Sequence, residues 1–304
     1  MSNWKRVTKH DPCFGCGKPD FCRYSDDGGV ECKRGAFPGS HERLDKNGVT
    51  HWVGGRLGDG KHQKPTQAFV EETNPEPATP AALNRVYKEL VDQLGLCARH
   101  YDALAGRGFS HEAIKRHEFR TLERTGRGRI ALHLADLFPF WMSIPGLYVR
   151  EDCPWLGGMN GLLIPCRNPE GQIIGMRVRP DDPGEGGKYR WLSSSGRGGP
   201  SPGSQASLWR PTRPILEPGT IRITEGELKA ARLAEGTGIN TISAPGVQAL
   251  ACDQVLAWLS VLQAKQILLC PDKDMKQNRV VASAVRTALE KLKALSLPLK
   301  VEVW

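Results

Sequence analysis

Two groups of residues in the 304-residue chain could do chemistry. The first is a run of cysteines, Cys13-x2-Cys16-x5-Cys22-x9-Cys32. Four thiolates so close can hold one ion that prefers sulfur, and tetrahedral Zn²⁺ with ligands at about 2.3 Å is the natural occupant. Gly15 and Gly17 suit the tight turn of the first pair. The second pair brackets a predicted β-hairpin with Asp26-Asp27-Gly28-Gly29 at its tip, which would return Cys32 beside Cys22. The alternatives are free thiols in a small core, or a site in which His10 or His41 replaces one cysteine. A fragment with so few aliphatic residues could hardly fold without the metal.

The second group is acidic. Glu225 follows the apolar run Ile221-Arg222-Ile223-Thr224, and Asp272 and Asp274 follow Gln266-Ile267-Leu268-Leu269-Cys270. Both runs read as strands, and in an open α/β sheet ligands bind outside the carboxyl ends of strands. Carboxylates gathered there without cationic partners would repel one another. A hard cation, Mg²⁺ or Mn²⁺, relieves this and neutralises phosphates during phosphoryl transfer. The simpler alternative is that each acid caps a helix.

Basic residues complete the candidate chemistry. Gly161–Arg167 and Gln172–Arg179 read as a hairpin around the turn Asn168-Pro169-Glu170-Gly171, with Arg177 and Arg179 on one face of the second strand. Lys188 and Arg190 follow and are expected to join that face, a grouping suited to nucleic acid or nucleotide. Around the cysteines, Lys9, Lys18, Arg23, Lys33, Arg34 and Arg43 mix with Phe14, Phe21 and Tyr24. That combination suits phosphate contact and base stacking.

The elements that must position these groups follow from composition and period. Residues 1–64 form a small metal module with 12 Lys and Arg against 8 Asp and Glu. Residues 65–80 carry four prolines without apolar periodicity and read as a semi-stiff linker. From 81 a helical pattern (Leu83, Val86, Leu90, Leu94) is followed by helices at 97–104 and, capped by Ser110, at 111–116. From about 216 strand and helix alternate, the pattern of a parallel sheet covered by helices. The fold class expected is mixed α/β: a zinc-binding β module, a helical and β-hairpin subdomain spanning 81–215, and an α/β sheet over 216–304.

Composition bounds the function. The net charge is +9, with 39% hydrophobic and 25% charged residues, the profile of a globular chain and not of a disordered or fibrous one. No apolar run is long enough to span a bilayer, and Met1–Cys13 lacks a signal-peptide core, so no membrane partner and a cytoplasmic location are expected. In a reducing compartment the five scattered cysteines, Cys97, Cys153, Cys166, Cys252 and Cys270, are expected as core thiols.

In order and spacing, the metal module, the helical segment, Gly161-Leu162-Leu163-Ile164-Pro165-Cys166-Arg167-x4-Gln172-Ile173-Ile174-Gly175, Lys188-Tyr189, Thr224-Glu225-Gly226 and Asp272-x-Asp274 resemble bacterial DnaG-type primases and their phage or plasmid relatives with a TOPRIM domain. Gly106-Arg107-Gly108-Phe109-Ser110 resembles the start of that family's catalytic core. The resemblance implies a DNA primase making short RNA primers, with Glu225, Asp272 and Asp274 binding catalytic magnesium. It also implies Gly246 in the intervening loop, and Arg179 and Lys188 near template or nucleotide. Its partners would be single-stranded DNA, ribonucleoside triphosphates and a replicative helicase, the last docking without a domain beyond Trp304. The chain departs from the pattern in three places: four Cys replace a His and three Cys, Lys229 stands where an Asp follows the Glu, with Glu227 as its candidate substitute, and Met275-Lys276-Gln277-Asn278 follows Asp274. Two further readings are a non-enzymatic, RecR-like zinc and TOPRIM DNA-binding protein, which would lack the Arg177 hairpin, and a TOPRIM metal-dependent nuclease.

Overall fold

The computed structural model describes residues 4–8, 13, 16, 18, 21–25, 29–35, 40–44, 50–54, 75–184, 187–272 and 278–302. They fall into two compact units, 1–73 and 74–304. The hairpin tip at Asp26–Gly28, most of the proline-rich stretch at 65–80, and Asp274 lie outside the described residues.

The first unit is one antiparallel sheet. Its strands are β1 (Trp4–Arg6), β2 (Arg23–Ser25), β3 (Val30–Cys32), β4 (Ser40–Leu44) and β5 (Thr50–Gly54), in the order β1-β2-β3-β5-β4. Its small core is Val7, Val30 and three of the cysteines, with Tyr24 and Trp52 packed against them.

The second unit begins with α1 (Pro80–Gln93). Thr79 caps it by accepting from the Ala82 N–H, and Pro80 sits where the first turn needs no N–H donor. Leu83, Val86, Tyr87, Leu90 and Val91 form its buried stripe. There follow α2 (Ala98–Ala105), α3 (His111–His117) capped by Ser110, β6 (Arg120–Leu122), α4 (Arg127–Leu137), β7 (Leu147–Arg150), β8 (Cys153–Leu156), β9 (Gly161–Arg167), β10 (Ile173–Pro180) and β11 (Arg190–Trp191). Strands β11-β10-β9-β6 form an antiparallel sheet against which α1 and α4 pack, and β7-β8 form a separate ribbon. The expected hairpin at 161–179 is β9 and β10, while β6, α4 and the β7-β8 ribbon are additions to the helical segment expected there.

The rest is the strand and helix alternation read in the sequence. It comprises β12 (Ser207–Trp209), β13 (Thr220–Glu225), α5 (Glu227–Thr237), β14 (Asn240–Ala244), α6 (Asp253–Val261), β15 (Gln266–Leu269), α7 (Arg279–Lys293) and β16 (Leu299–Val301). The sheet order is β12-β14-β13-β15-β16, with β14, β13, β15 and β16 parallel and β12 an antiparallel edge. Apolar residues of α6 and α7 pack with Ile221, Ile223, Ile242, Ile267 and Leu269. Those of α5 pack instead with Leu162 and Ile164 of β9, Phe109, Phe119 and Trp209. The two sheets of this unit are thus joined through α5, whose first residue, directly after β13, is tied to β10 by the Arg177–Glu227 ion pair.

Candidate metal centre and active-site cleft

The sulfur atoms of Cys13, Cys16, Cys22 and Cys32 lie within 4.8 Å of one another. Cys16 Sγ is 3.7 Å from Cys22 Sγ, and Cys22 Sγ is 3.9 Å from Cys32 Sγ. Sulfurs about 2.3 Å from a central zinc stand about 3.8 Å apart in a regular tetrahedron, so the cluster has the dimensions of a closed four-sulfur zinc site. Among the described residues no His, Asp or Glu joins it; His41 is exposed on β4, and His10 lies outside the described residues.

The turn after β3 turns its backbone toward the sulfurs. The Lys33 N–H donates to Cys22 Sγ at 3.5 Å, and those of Arg34 and Gly35 donate to Cys32. A hydrogen bond from Cys13 pulls the Cys32 thiol down to about 5, against burial and with help from those two N–H groups. The same bond, and then burial, pushes Cys13 up, while burial pushes Cys22 up to about 11. Four thiolates so close repel one another, and a zinc ion held by Cys13, Cys16, Cys22 and Cys32 would supply the charge that offsets this. Of the six basic residues named around the cysteines, Arg34 places its guanidinium 5.4 Å from the centroid of the exposed Phe21 ring, and Lys33 is half-buried.

In the second unit the acidic group is built at two neighbouring strand ends. The last residue of β13 is Glu225, and Gly226 then adopts φ 78°, which lets the chain leave the strand and enter α5 at once. A Cβ at Gly226 would meet no heavy atom within 4 Å, so the glycine serves conformation and not space. Asp272 lies three residues past β15, and its carboxyl hydrogen-bonds with that of Glu225.

The expectation that these carboxylates lack cationic partners is corrected by the first turn of α5. Lys229 Nζ donates to Asp272 Oδ1 at 2.5 Å and to the Cys270 carbonyl at 3.2 Å. Burial pushes the Asp272 carboxyl up, but the Lys229 hydrogen bond and charge, the Glu225 hydrogen bond and the charge of Lys188 together hold it below the usual carboxylate range.

Glu227 turns the other way. It is 1% exposed, and its Oε1 accepts from Arg177 Nη1 at 2.6 Å. The Arg177 guanidinium lies 4.7 Å from the Trp191 ring and 5.9 Å from the Tyr189 ring. Arg177 is therefore a strut between β10 and α5 as well as a wall of the cleft.

That cleft, of about 780 Å³, is bounded by Arg107, Arg177, Arg179, Lys188, Tyr189, Glu225, Gly226, Lys229, Arg232, Gly246 and Asp272, among others. Six cations face two carboxylates. Arg190 does not join them: it pairs with Val178 in the β10-β11 register, so it lies on the face opposite Arg177, and its Nη2 donates to the Pro183 carbonyl. The expected grouping of four cations on one face thus loses Arg190.

Sequence reasoning missed Arg107, Arg232 and the reach of Lys229. A signal existed for two of them, because Lys229 and Arg232 are three apart in the opening turns of the helix that follows Glu225 and so share a side. Arg232 Nε donates to the Arg107 carbonyl at 3.1 Å and so fixes the Arg107 loop.

No protein-family profile and no curated protein sequence matches the chain. Solved structures do. The zinc-binding and RNA polymerase domains of the Aquifex aeolicus primase are similar with a TM-score of 0.57 at 14% identity, over 75% of this chain and 56% of that one. A DnaG primase catalytic domain bound to single-stranded DNA gives 0.51 at 18%, over 74% and 71%. The RNA polymerase domain of the Mycobacterium tuberculosis DnaG primase, bound to a double-stranded oligomer with a six-nucleotide overhang, gives 0.54 at 18%, over 76% and 74%. The chain therefore spans little more than half the length of the Aquifex chain it matches, and what the likeness shows is the fold: a mixed α/β chain with the fold of DnaG-type primase cores, preceded by a four-cysteine cluster that fits a zinc-binding module.

Proposed function

We propose, with that shared fold as premise, that the chain is a DNA primase that makes short RNA primers on single-stranded DNA, serving a phage, plasmid or other mobile replicon. The observation that carries this reading is the cleft itself. Two carboxylates at the ends of adjacent parallel strands stand among six cations, a composition suited to a divalent ion and to the polyphosphate and backbone of nucleotide and template.

In this reading residues 1–64 are the zinc-binding domain and hold the template, 65–80 are the linker, 81–215 the N-terminal part of the core and 216–304 a TOPRIM domain. The donor set fits a hard divalent cation, since Glu225 and Asp272 offer adjacent carboxylate oxygens; Asp274 is the third ligand implied. Bound there, Mg²⁺ or Mn²⁺ would offset charge developing on the transferred phosphoryl group. The chain's own residues do the rest. Arg179, Lys188 and Arg107 bind triphosphate and template phosphates, and Arg232 holds the Arg107 loop in place. A primer 3′-hydroxyl oxygen bonds to the α-phosphorus, the bond to the β-phosphate oxygen breaks, pyrophosphate leaves and the hydroxyl proton passes to solvent. A replicative helicase is a candidate partner.

Labelled ribonucleotides supplied with mixed single-stranded templates and Mg²⁺ should yield short RNA. Glu225→Gln, Asp272→Ala and Asp274→Ala proteins should make at least about 10²-fold less, the scale of losing one preorganised charge-stabilising group. Zinc-loaded wild type that makes no product on any template overturns the proposal.

A further inference from the structure

A second cavity, of about 630 Å³, shares no wall with the cleft. It lies toward the other end of the β9-β10 hairpin: its Arg167 pairs with Ile173 beside the turn, whereas Arg179 of the cleft pairs with Leu162 near the start of β9. The walls come from α1 (Lys88), from α3 and its C-cap (Lys115, Arg116, Glu118), from the end of β9 (Arg167) and from the residue after β12 (Arg210). With Glu112 of α3, five cations there face two carboxylates.

One part of this charge is structural. Glu118 caps α3 in the left-handed region, at φ 57°, and its carboxylate is gripped from two sides. Lys88 Nζ donates to both of its oxygens at 2.7 Å, and Arg167 Nη2 donates to Oε2. One negative charge thus answers two positive ones. The excess shows in the neighbours. Burial first, and the charge of Arg116 with it, push the Arg167 guanidinium below its ordinary value in spite of Glu118. Arg210 is pushed down in the same way, by burial and by Arg116 against Glu170. The Arg116 guanidinium is therefore close enough to repel those of Arg167 and Arg210, and an anion between them removes that cost.

We propose that this cavity is a second anion site that takes a compact polyphosphate, free or as the phosphate end of a nucleotide, through Arg116, Arg210, Arg167 and Lys115. Guanidinium forks match the paired oxygens of phosphate groups. The volume falls within the range of small-ligand sites, about 300–1,000 Å³. More cations converge than a single phosphate group needs. Glu112 and Glu118 interrupt the walls, so the cations form no continuous basic track of the kind that follows a nucleic-acid backbone. The site stands independently of the primase reading of the cleft.

The test uses the zinc-loaded full chain without added divalent ions, carrying Arg179→Ala and Lys188→Ala together to weaken phosphate binding in the cleft. Titration calorimetry with tripolyphosphate should show one bound equivalent. Adding Arg116→Gln and Arg210→Gln to that background should weaken it at least about tenfold, the scale of losing one charge-assisted hydrogen bond. Melting curves report whether each variant is folded. Arg116→Gln alone, at an exposed helix position, should weaken binding about threefold or more, and it decides the matter if the double change unfolds. Lys88 and Arg167 stay unchanged because they hold Glu118. ATP and GTP identify the source: affinity equal to tripolyphosphate assigns the site to the phosphates alone, and tighter binding adds the nucleoside. No binding of tripolyphosphate, or equal binding in folded Arg116→Gln protein, overturns the proposal. So does an arginine-dependent site that takes single-stranded oligonucleotide but not tripolyphosphate. Primer synthesis by the chain with an intact cleft is measured separately, and its failure touches the primase reading alone.

Discussion

Arg177 shows how one side chain can be misread by its type. Its alternation with Val178 on β10 places it beside Arg179, as the sequence predicts, and an exposed arginine on such a face would be a phosphate ligand. What the alternation could not contain is the element that the face meets. Here it is α5, whose first residue, Glu227, is buried and pairs with Arg177. The pair is incompletely satisfied, for Arg177 Nε and Glu227 Oε2 have no hydrogen-bond partner among the described residues. Removing one member leaves the other charge buried alone, so Glu227→Leu should cost about 3–5 kcal/mol in denaturant unfolding. The double change Arg177→Met with Glu227→Leu should recover most of that loss, because no buried charge then remains. An equal loss in the single and the double variant would show that the pair is not what holds β10 to α5.

At the scale of elements, legibility followed the turn chemistry. The β9-β10 hairpin announces itself through Asn168-Pro169-Glu170-Gly171, in which the Gln172 and Asn168 side chains and backbones close the turn. The β7-β8 ribbon does not, because its turn residues are Glu151 and Asp152, both at positive φ (50° and 59°) where glycine or asparagine is the usual signal. Likewise α4 begins after Gly126 and not after a Ser, Thr or Asp cap. Its first residue, Arg127, is buried and donates to the Glu123, Gly157 and Gly158 carbonyls and to Asn160. The four-cysteine cluster and the β2-β3 hairpin were legible from spacing, β1, β4 and β5 were not, and the thin core of this sheet makes it dependent on its ion. A strong chelator, or Cys22→Ser, should abolish one calorimetric transition while leaving the melting of residues 74–304 unchanged. A module that still melts cooperatively without zinc would show that Val7, Val30, Tyr24 and Trp52 suffice.

At the scale of the whole molecule, shifts of one sign accumulate. Burial pushes the His117 imidazole below its ordinary range, although Glu235 lies 2.7 Å away. The Glu235 carboxyl is held low by its bonds from His117 and Thr212 against burial, and Glu118 is held low by Lys88 and Arg167, again against burial. All three bind a proton more weakly folded than unfolded, so their contributions are present in full at neutral pH. The His117 part should fade as pH falls through about 6.5, the carboxylate part below about 4.5. Melting temperature should therefore drop between pH 7 and 5, and the drop should be shallower in His117→Gln; equal slopes would show that another group carries it. None of this was visible in the sequence, where His117 and Glu235 stand 118 residues apart. What could be read there was order: strands ending in acids, helices between them, and hence the end of the sheet on which chemistry would gather.

That sheet order also says how the cleft resists local opening. β13 is the central strand, bonded on both sides by parallel partners, while β12 and β16 take the edges. The amides of Ile221, Arg222 and Ile223 can then exchange with solvent only when the whole unit opens, whereas the edge strands can fray alone. Glu225 hangs from this central strand, so the margins of the sheet can breathe while the carboxylate keeps its place.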